Sequence, residues 1–125
     1  MAKKVLVAED SPTVLMMLKV AISRAGYEVL TAADGMDALG KARSLSPDLI
    51  ILDCILPKLD GYNICRMLKS DNQFKDIPII MFTARTGAND KMMGEKTGAD
   101  EYIPKSSNIE EMDHLIGRVH HHLKK

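Results

Sequence analysis

The chain has 125 residues, 46% of them hydrophobic and 27% charged, with 17 basic side chains against 17 acidic ones. That is the length of one ordinary domain; no apolar run approaches a membrane span, and the charge balance argues against a broad electrostatic grip on nucleic acid. No signal peptide opens the chain, and no linker or repeat follows, so a cytoplasmic protein of one domain (1–125) without membrane insertion is expected.

Val5, Leu6, Val7 and Ala8 read as a strand buried on both faces, and they run straight into Glu9 and Asp10. Ser11-Pro12 then has the form of a helix N-cap followed by proline at the first helical position. Val14, Leu15, Leu18, Ala21, Ile22 and Ala25 recur at helical spacing until Gly26 ends the helix. Tyr27 to Thr31 is a short strand, and Asp34-Gly35 opens a second helix that ends near Ser44. Leu49 to Leu52 is a second fully apolar strand, ending at Asp53, and Asp60-Gly61 caps a third helix carrying Ile64, Met67 and Leu68.

Ile77 to Phe82 is a further apolar strand, ending at Thr83. Gly87 to Thr97 reads as a weaker helix, because Gly94 in its interior costs roughly 1 kcal/mol relative to alanine. Glu101 to Ile103 is the last strand. Asn108 with Glu111 makes a capping arrangement for a final helix whose apolar stripe is Met112, Leu115, Ile116, Val119 and Leu123. His120, His121 and His122 suit the helix C-terminus as positive charge and diverge too far to read as a metal site. Cys54 and Cys65 follow no metal-ligand spacing and read as small buried thiols.

Strand and helix therefore alternate five times over short connections, which implies an α/β fold: a five-stranded, doubly wound parallel sheet of flavodoxin-like type with helices on both faces. Ligands of such sheets bind beyond the carboxyl ends of the strands, where the strand order reverses. Glu9, Asp10, Asp53 and Thr83 all belong to that rim. Two unit charges about 4 Å apart repel by roughly 4 kcal/mol at an effective dielectric near 20. Three carboxylates in one crevice would thus take up protons or hold a cation, and an oxygen-only set favours a hard divalent ion such as Mg²⁺.

The segments VLVAEDS, LIILDCILPKLDG, IIMFTA, TGADEY and YIPKS, in this order and spacing, resemble the receiver domain of the two-component response regulators, and the chain looks like the stand-alone chemotaxis type. The resemblance covers essentially the whole chain. It implies that Asp53 attacks a phosphohistidine of a partner and becomes an acyl phosphate. Asp10, Asp53 and the backbone carbonyl of Ile55 would then ligate Mg²⁺ directly, and Glu9 largely through water. Lys105 would pair with phosphoryl oxygens and the Thr83 hydroxyl would bond another. Tyr102 occupies the family's aromatic switch position, turning inward when Thr83 moves. Partners would be a sensor histidine kinase or phosphotransfer domain and a downstream target on the face holding Met92, Tyr102 and the last helix. The protein would be a phosphoacceptor assisting its own phosphorylation and autodephosphorylation rather than an enzyme.

Two departures from the family pattern stand out. Glu9 lies where aspartate is commoner, and Ser106, in a bond expected to be trans, follows Lys105 where proline is usual. The odd Lys105 loop keeps open an alternative, a receiver-like interaction module working without phosphorylation. A flavin-binding protein on the same fold is disfavoured, since an acidic rim would repel a phosphate in the absence of a metal.

Overall fold

The structure, a computed structural model, describes residues 2–84, 92–93, 95–105 and 109–124, with 109–111 as backbone only. Five parallel strands, β1 (Lys4–Ala8), β2 (Glu28–Ala32), β3 (Leu49–Leu52), β4 (Ile79–Thr83) and β5 (Glu101–Pro104), form one sheet in the order β2-β1-β3-β4-β5. The described helices are α1 (Pro12–Arg24), α2 (Gly35–Leu45), α3 (Gly61–Lys69) and α4 (Ile109–Leu123). None is long and apolar enough to cross a membrane.

Because strand side chains alternate between faces, the sheet has two apolar layers. Leu6, Ala8, Ile50, Leu52, Ile79 and Met81 pack with Ala38, Leu39 and Ala42 of α2 and Ile64, Cys65 and Leu68 of α3. On the opposite face Val5, Val7, Leu49, Ile51, Ile80 and Phe82 pack with Leu18 and Ile22 of α1 and Leu115, Val119 and Leu123 of α4. Strands buried on both faces cannot alternate polar and apolar residues, which is why β1, β3 and β4 read as unbroken apolar runs.

The strand order reverses between β1 and β3, whose register pairs Ala8 with Leu52. Open parallel sheets, including those of this strand order, hold their ligands at such a reversal. Local signals fix the helix starts that face this rim. The Ser11, Asp34 and Asp60 side chains accept hydrogen bonds from the backbone N–H of Val14, Asp37 and Asn63.

The loop from β3 to α3 is clipped to α2. Pro57 carbonyl accepts both Gly35 N–H (2.9 Å) and Leu59 N–H (2.8 Å), the latter closing a γ-turn around Lys58, whose φ is 70°. The Lys58 ammonium lies 3.5 Å from Asp34. A Cβ at Gly35 would sit 1.7 Å from the Leu59 carbonyl oxygen, and one at Gly61 2.0 Å from that of Asp53, so both close approaches require glycine.

The expected bounds shift most at β4, which begins at Ile79 rather than Ile77 and includes Thr83. Ile77 N–H is taken by the Phe74 carbonyl in the preceding turn (3.1 Å), and proline at 78 has no N–H to offer the ladder. At the opposite edge of this pair, Pro104 ends β5 opposite Thr83. The expected helix over 87–97, the Asn108 cap and the Lys105–Ser106 bond lie wholly or partly outside the described residues.

Candidate functional site

Glu9, Asp53 and Lys105 are each fixed by a hydrogen bond that extends the sheet one residue past its strand. Glu9 N–H donates to the Ala32 carbonyl (3.0 Å), Asp53 N–H to that of Ala8 (3.1 Å), and Lys105 N–H to that of Thr83 (2.7 Å). The backbone ladder therefore aims side chains from three different connections into one crevice. Carboxylate oxygens of Glu9, Asp10 and Asp53 lie within 4.8 Å of one another. Glu9 is 2% exposed and Asp53 7%, whereas Asp10 is exposed.

The charge problem posed by three carboxylates has an answer not foreseen from composition alone. Lys105 reaches into the crevice, its Nζ 2.8 Å from Asp53 Oδ2 and in an ion pair with Glu9 Oε1. Thus the unusual Lys105 loop does not withdraw the lysine from the rim. Glu9 Oε2 accepts Ser11 N–H (3.0 Å), and Asp53 Oδ1 accepts Ile55 N–H (3.3 Å).

Burial pushes the Glu9 carboxyl above its ordinary pKa, outweighing the lowering by Lys105 and the Ser11 N–H. For Lys105, burial lowers the pKa, but the hydrogen bonds from its ammonium to Asp53 and Glu9 outweigh this and hold it above the usual lysine value. One ammonium against three carboxylates still leaves the crevice negative.

The donor set fits a hard divalent cation. Mg–O distances near 2.1 Å place neighbouring ligands of an octahedron about 3.0 Å apart and opposite ones about 4.2 Å apart, so carboxylate oxygens within 4.8 Å of one another come within reach of one cation through side-chain rotation. The exposure of Asp10 leaves a side open to water. The Ile55 side chain is 49% exposed at the mouth, and its backbone follows Asp53 closely.

Behind the acidic rim lies a polar cluster that sequence reasoning missed. Cys54, fully buried, shares hydrogen bonds with the hydroxyls of Tyr62, Thr83 and Tyr102. Tyr62 and Tyr102 also bond each other; burial first, then Cys54 and Tyr102, pushes the Tyr62 phenol well above its ordinary range. Burial likewise raises the Cys54 thiol. The expected switch residue is thus half-buried against the α2–α3 layer and joined to the threonine through a thiol. The available signal was position: Cys54 directly follows Asp53 and so must point to the other face of the strand end, toward Thr83's neighbours. Cys65 is the plainer thiol, buried and donating to the Thr97 carbonyl at 3.5 Å. Met92 and Met93 are exposed.

Residues 5–117 match the response regulator receiver domain. The chain is 42% identical over 119 residues to the Bacillus subtilis alkaline phosphatase synthesis transcriptional regulatory protein PhoP, covering 95% of this chain and 49% of PhoP. It is 37% identical over 120 residues to Protein PilG of Pseudomonas aeruginosa, covering 96% and 87%. It therefore spans about half the length of PhoP but most of PilG. The structure of the chemotaxis response regulator CheY4 of Vibrio cholerae superposes with a TM-score of 0.86 at 35% identity, covering 95% of this chain and 99% of that one. Fold, rim and relatives agree, and the chain belongs to the receiver domains of the two-component response regulators.

Proposed function

We propose that this receiver takes a phosphoryl group onto Asp53 from a phosphohistidine of a sensor histidine kinase or phosphotransfer domain. An Asp53 carboxylate oxygen forms the bond to phosphorus while the phosphorus–nitrogen bond breaks, and its electron pair returns to the histidine ring. The observation that carries the reading is the convergence of Glu9, Asp10, Asp53 and Lys105 on one crevice at the sheet's reversal. Such a transfer asks little covalent work of a protein beyond the acceptor and much positioning and charge neutralisation.

Asp10, Asp53 and the Ile55 carbonyl would hold Mg²⁺, which supplies neutralisation of the charge gathering on the phosphoryl oxygens. Lys105, already poised beside Asp53, receives one such oxygen, and the Thr83 hydroxyl, buried at the end of β4, receives another. Because Thr83 and Tyr102 share the Cys54 thiol, movement of the threonine frees a hydrogen-bonding partner of the tyrosine. The surface carrying Met92, Tyr102 and α4 then changes for a downstream protein. The protein is a phosphoacceptor that assists its own phosphorylation and dephosphorylation.

The likeness to the chemotaxis response regulator CheY4 supports a regulator in chemotaxis or motility. The balance of 17 basic and 17 acidic side chains supports protein partners over nucleic acid.

Incubation with Mg²⁺ and a small-molecule phosphodonor, followed by mass spectrometry, tests the reading. One phosphoryl adduct that disappears in Asp53→Ala is expected; no adduct, or one that survives the substitution, overturns it.

A further inference from the structure

The three carboxylates of the rim are not equivalent. Glu9 is the most deeply buried, at 2% exposure, and both of its oxygens are already engaged: Oε2 by Ser11 N–H at 3.0 Å and Oε1 by the Lys105 ammonium. Asp10 is exposed. Asp53 must give up an oxygen when it becomes the acceptor, so its 2.8 Å contact with Lys105 cannot be what holds the lysine throughout the transfer. A lysine on a four-carbon stem has several rotatable bonds and is placed only by its partners.

We propose that Glu9 is the positioning residue for Lys105 and not a ligand of the cation, so that the crevice is divided in two. Asp10, Asp53 and the Ile55 carbonyl serve the cation, while Glu9 serves the ammonium. This rests on the phosphoryl-transfer reading and deepens it. The Glu9 side chain, one methylene longer than aspartate, reaches the lysine with one oxygen, while the Ser11 N–H fixes the second oxygen and hence the direction of the first. With Glu9 holding one side, Lys105 stays in the crevice while the charge of Asp53 changes, and no proline after it is needed to aim it.

Two readouts on the intact chain separate this from a general acidic site. In metal-free protein labelled with ¹⁵N-lysine, the Lys105 ammonium signal, identified by its loss in Lys105→Met, is expected to be that of a slowly exchanging, ion-paired group. Glu9→Asp keeps the charge but withdraws it by about 1.5 Å, one carbon–carbon bond. That signal is then expected to broaden or move toward those of exposed lysines, and Glu9→Gln is expected to do the same. Mg²⁺ titration of Glu9→Asp, which keeps the charge, is expected to give a dissociation constant within about twofold of wild type, and Glu9→Gln to lose less than Asp10→Asn, which weakens binding about tenfold or more through a lost charged ligand and leaves the Lys105 signal in place. Weakening by Glu9→Asp and Glu9→Gln as large as that by Asp10→Asn overturns the division, as does an unmoved Lys105 signal in Glu9→Asp. Should wild type bind no Mg²⁺, the phosphoryl-transfer reading fails, while the ammonium signal still decides whether Glu9 holds Lys105.

Discussion

At the scale of single residues, the rim is a balance of one ammonium against three carboxylates, and the imbalance has a thermal consequence. Replacing Asp53 by asparagine removes a negative charge from a crevice that remains negative with Lys105 in place. Asp53→Asn is therefore expected to raise the melting temperature of the metal-free protein, and added Mg²⁺ is expected to erase the gain by stabilising wild type more. Melting curves of both proteins with and without the ion check this; a lower melting temperature for the metal-free variant refutes it. Ile55, half-exposed at the mouth, governs a different quantity. Its hydrocarbon side chain cannot orient a water for attack on an acyl phosphate, whereas an asparagine amide can. One such contact is worth on the order of 1 kcal/mol, or several-fold in rate. Ile55→Asn is expected to shorten the lifetime of the phosphorylated form by that factor, read as decay after the phosphodonor is removed.

At the scale of elements, two glycines of α2 make opposite demands. Gly40, exposed in the helix interior, has nothing within 4 Å of a built Cβ, so Gly40→Ala is expected to stabilise by about 1 kcal/mol through helix propensity. Gly35 abuts the Leu59 carbonyl, and Gly35→Ala is expected to destabilise by about 2 kcal/mol or more, since backbone must move. Urea unfolding of the pair measures both, and equal effects refute the clip between α2 and the β3–α3 loop.

Such packing is also where the sequence stopped being readable. Strands β1 and β3 were legible because burial on both faces writes itself as four apolar residues, and α1, α2 and α3 because a capping side chain opens each. At β4 an apolar run of the same kind begins two residues early, inside a turn, and composition does not distinguish a buried turn from a strand. In the site, Asp53, Asp10 and Glu9 were legible as charges following apolar strands. The grip of Glu9 on Lys105 was not, because it joins the first strand's end to the last strand's end. Nor was the role of Cys54, since a thiol in an apolar stretch looks the same whether it packs against methyl groups or against hydroxyls.

At the scale of the molecule, the end of the sheet away from the crevice is held by charge. Glu101, at the start of β5, accepts Arg118 Nε–H of α4 at 2.6 Å, and His122 Nε2 lies 3.2 Å from the same oxygen. Burial raises the Glu101 carboxyl, but Arg118 and then His122 outweigh it and hold the group below its ordinary pKa. A carboxylate depressed on folding stabilises the folded state above the unfolded pKa, near 4.3, and that contribution disappears as pH falls through the folded value. The melting temperature of wild type is therefore expected to exceed that of Arg118→Met at pH 7, and the gap to narrow below about pH 4 as Glu101 takes up its proton. A gap that stays constant from pH 7 to pH 3 shows that Arg118 acts through packing alone.

The turn around Lys58, tied to α2 at Gly35 and Asp34, bears on time as well as shape. A loop already held in place has nothing to wait for, so a cation arriving at the Ile55 carbonyl meets a group that does not first have to assemble. Stopped-flow mixing with Mg²⁺ should accordingly show a single phase whose rate climbs in proportion to concentration without levelling off. Gly35→Ala, by loosening that loop, should introduce a plateau set by the loop's own rearrangement.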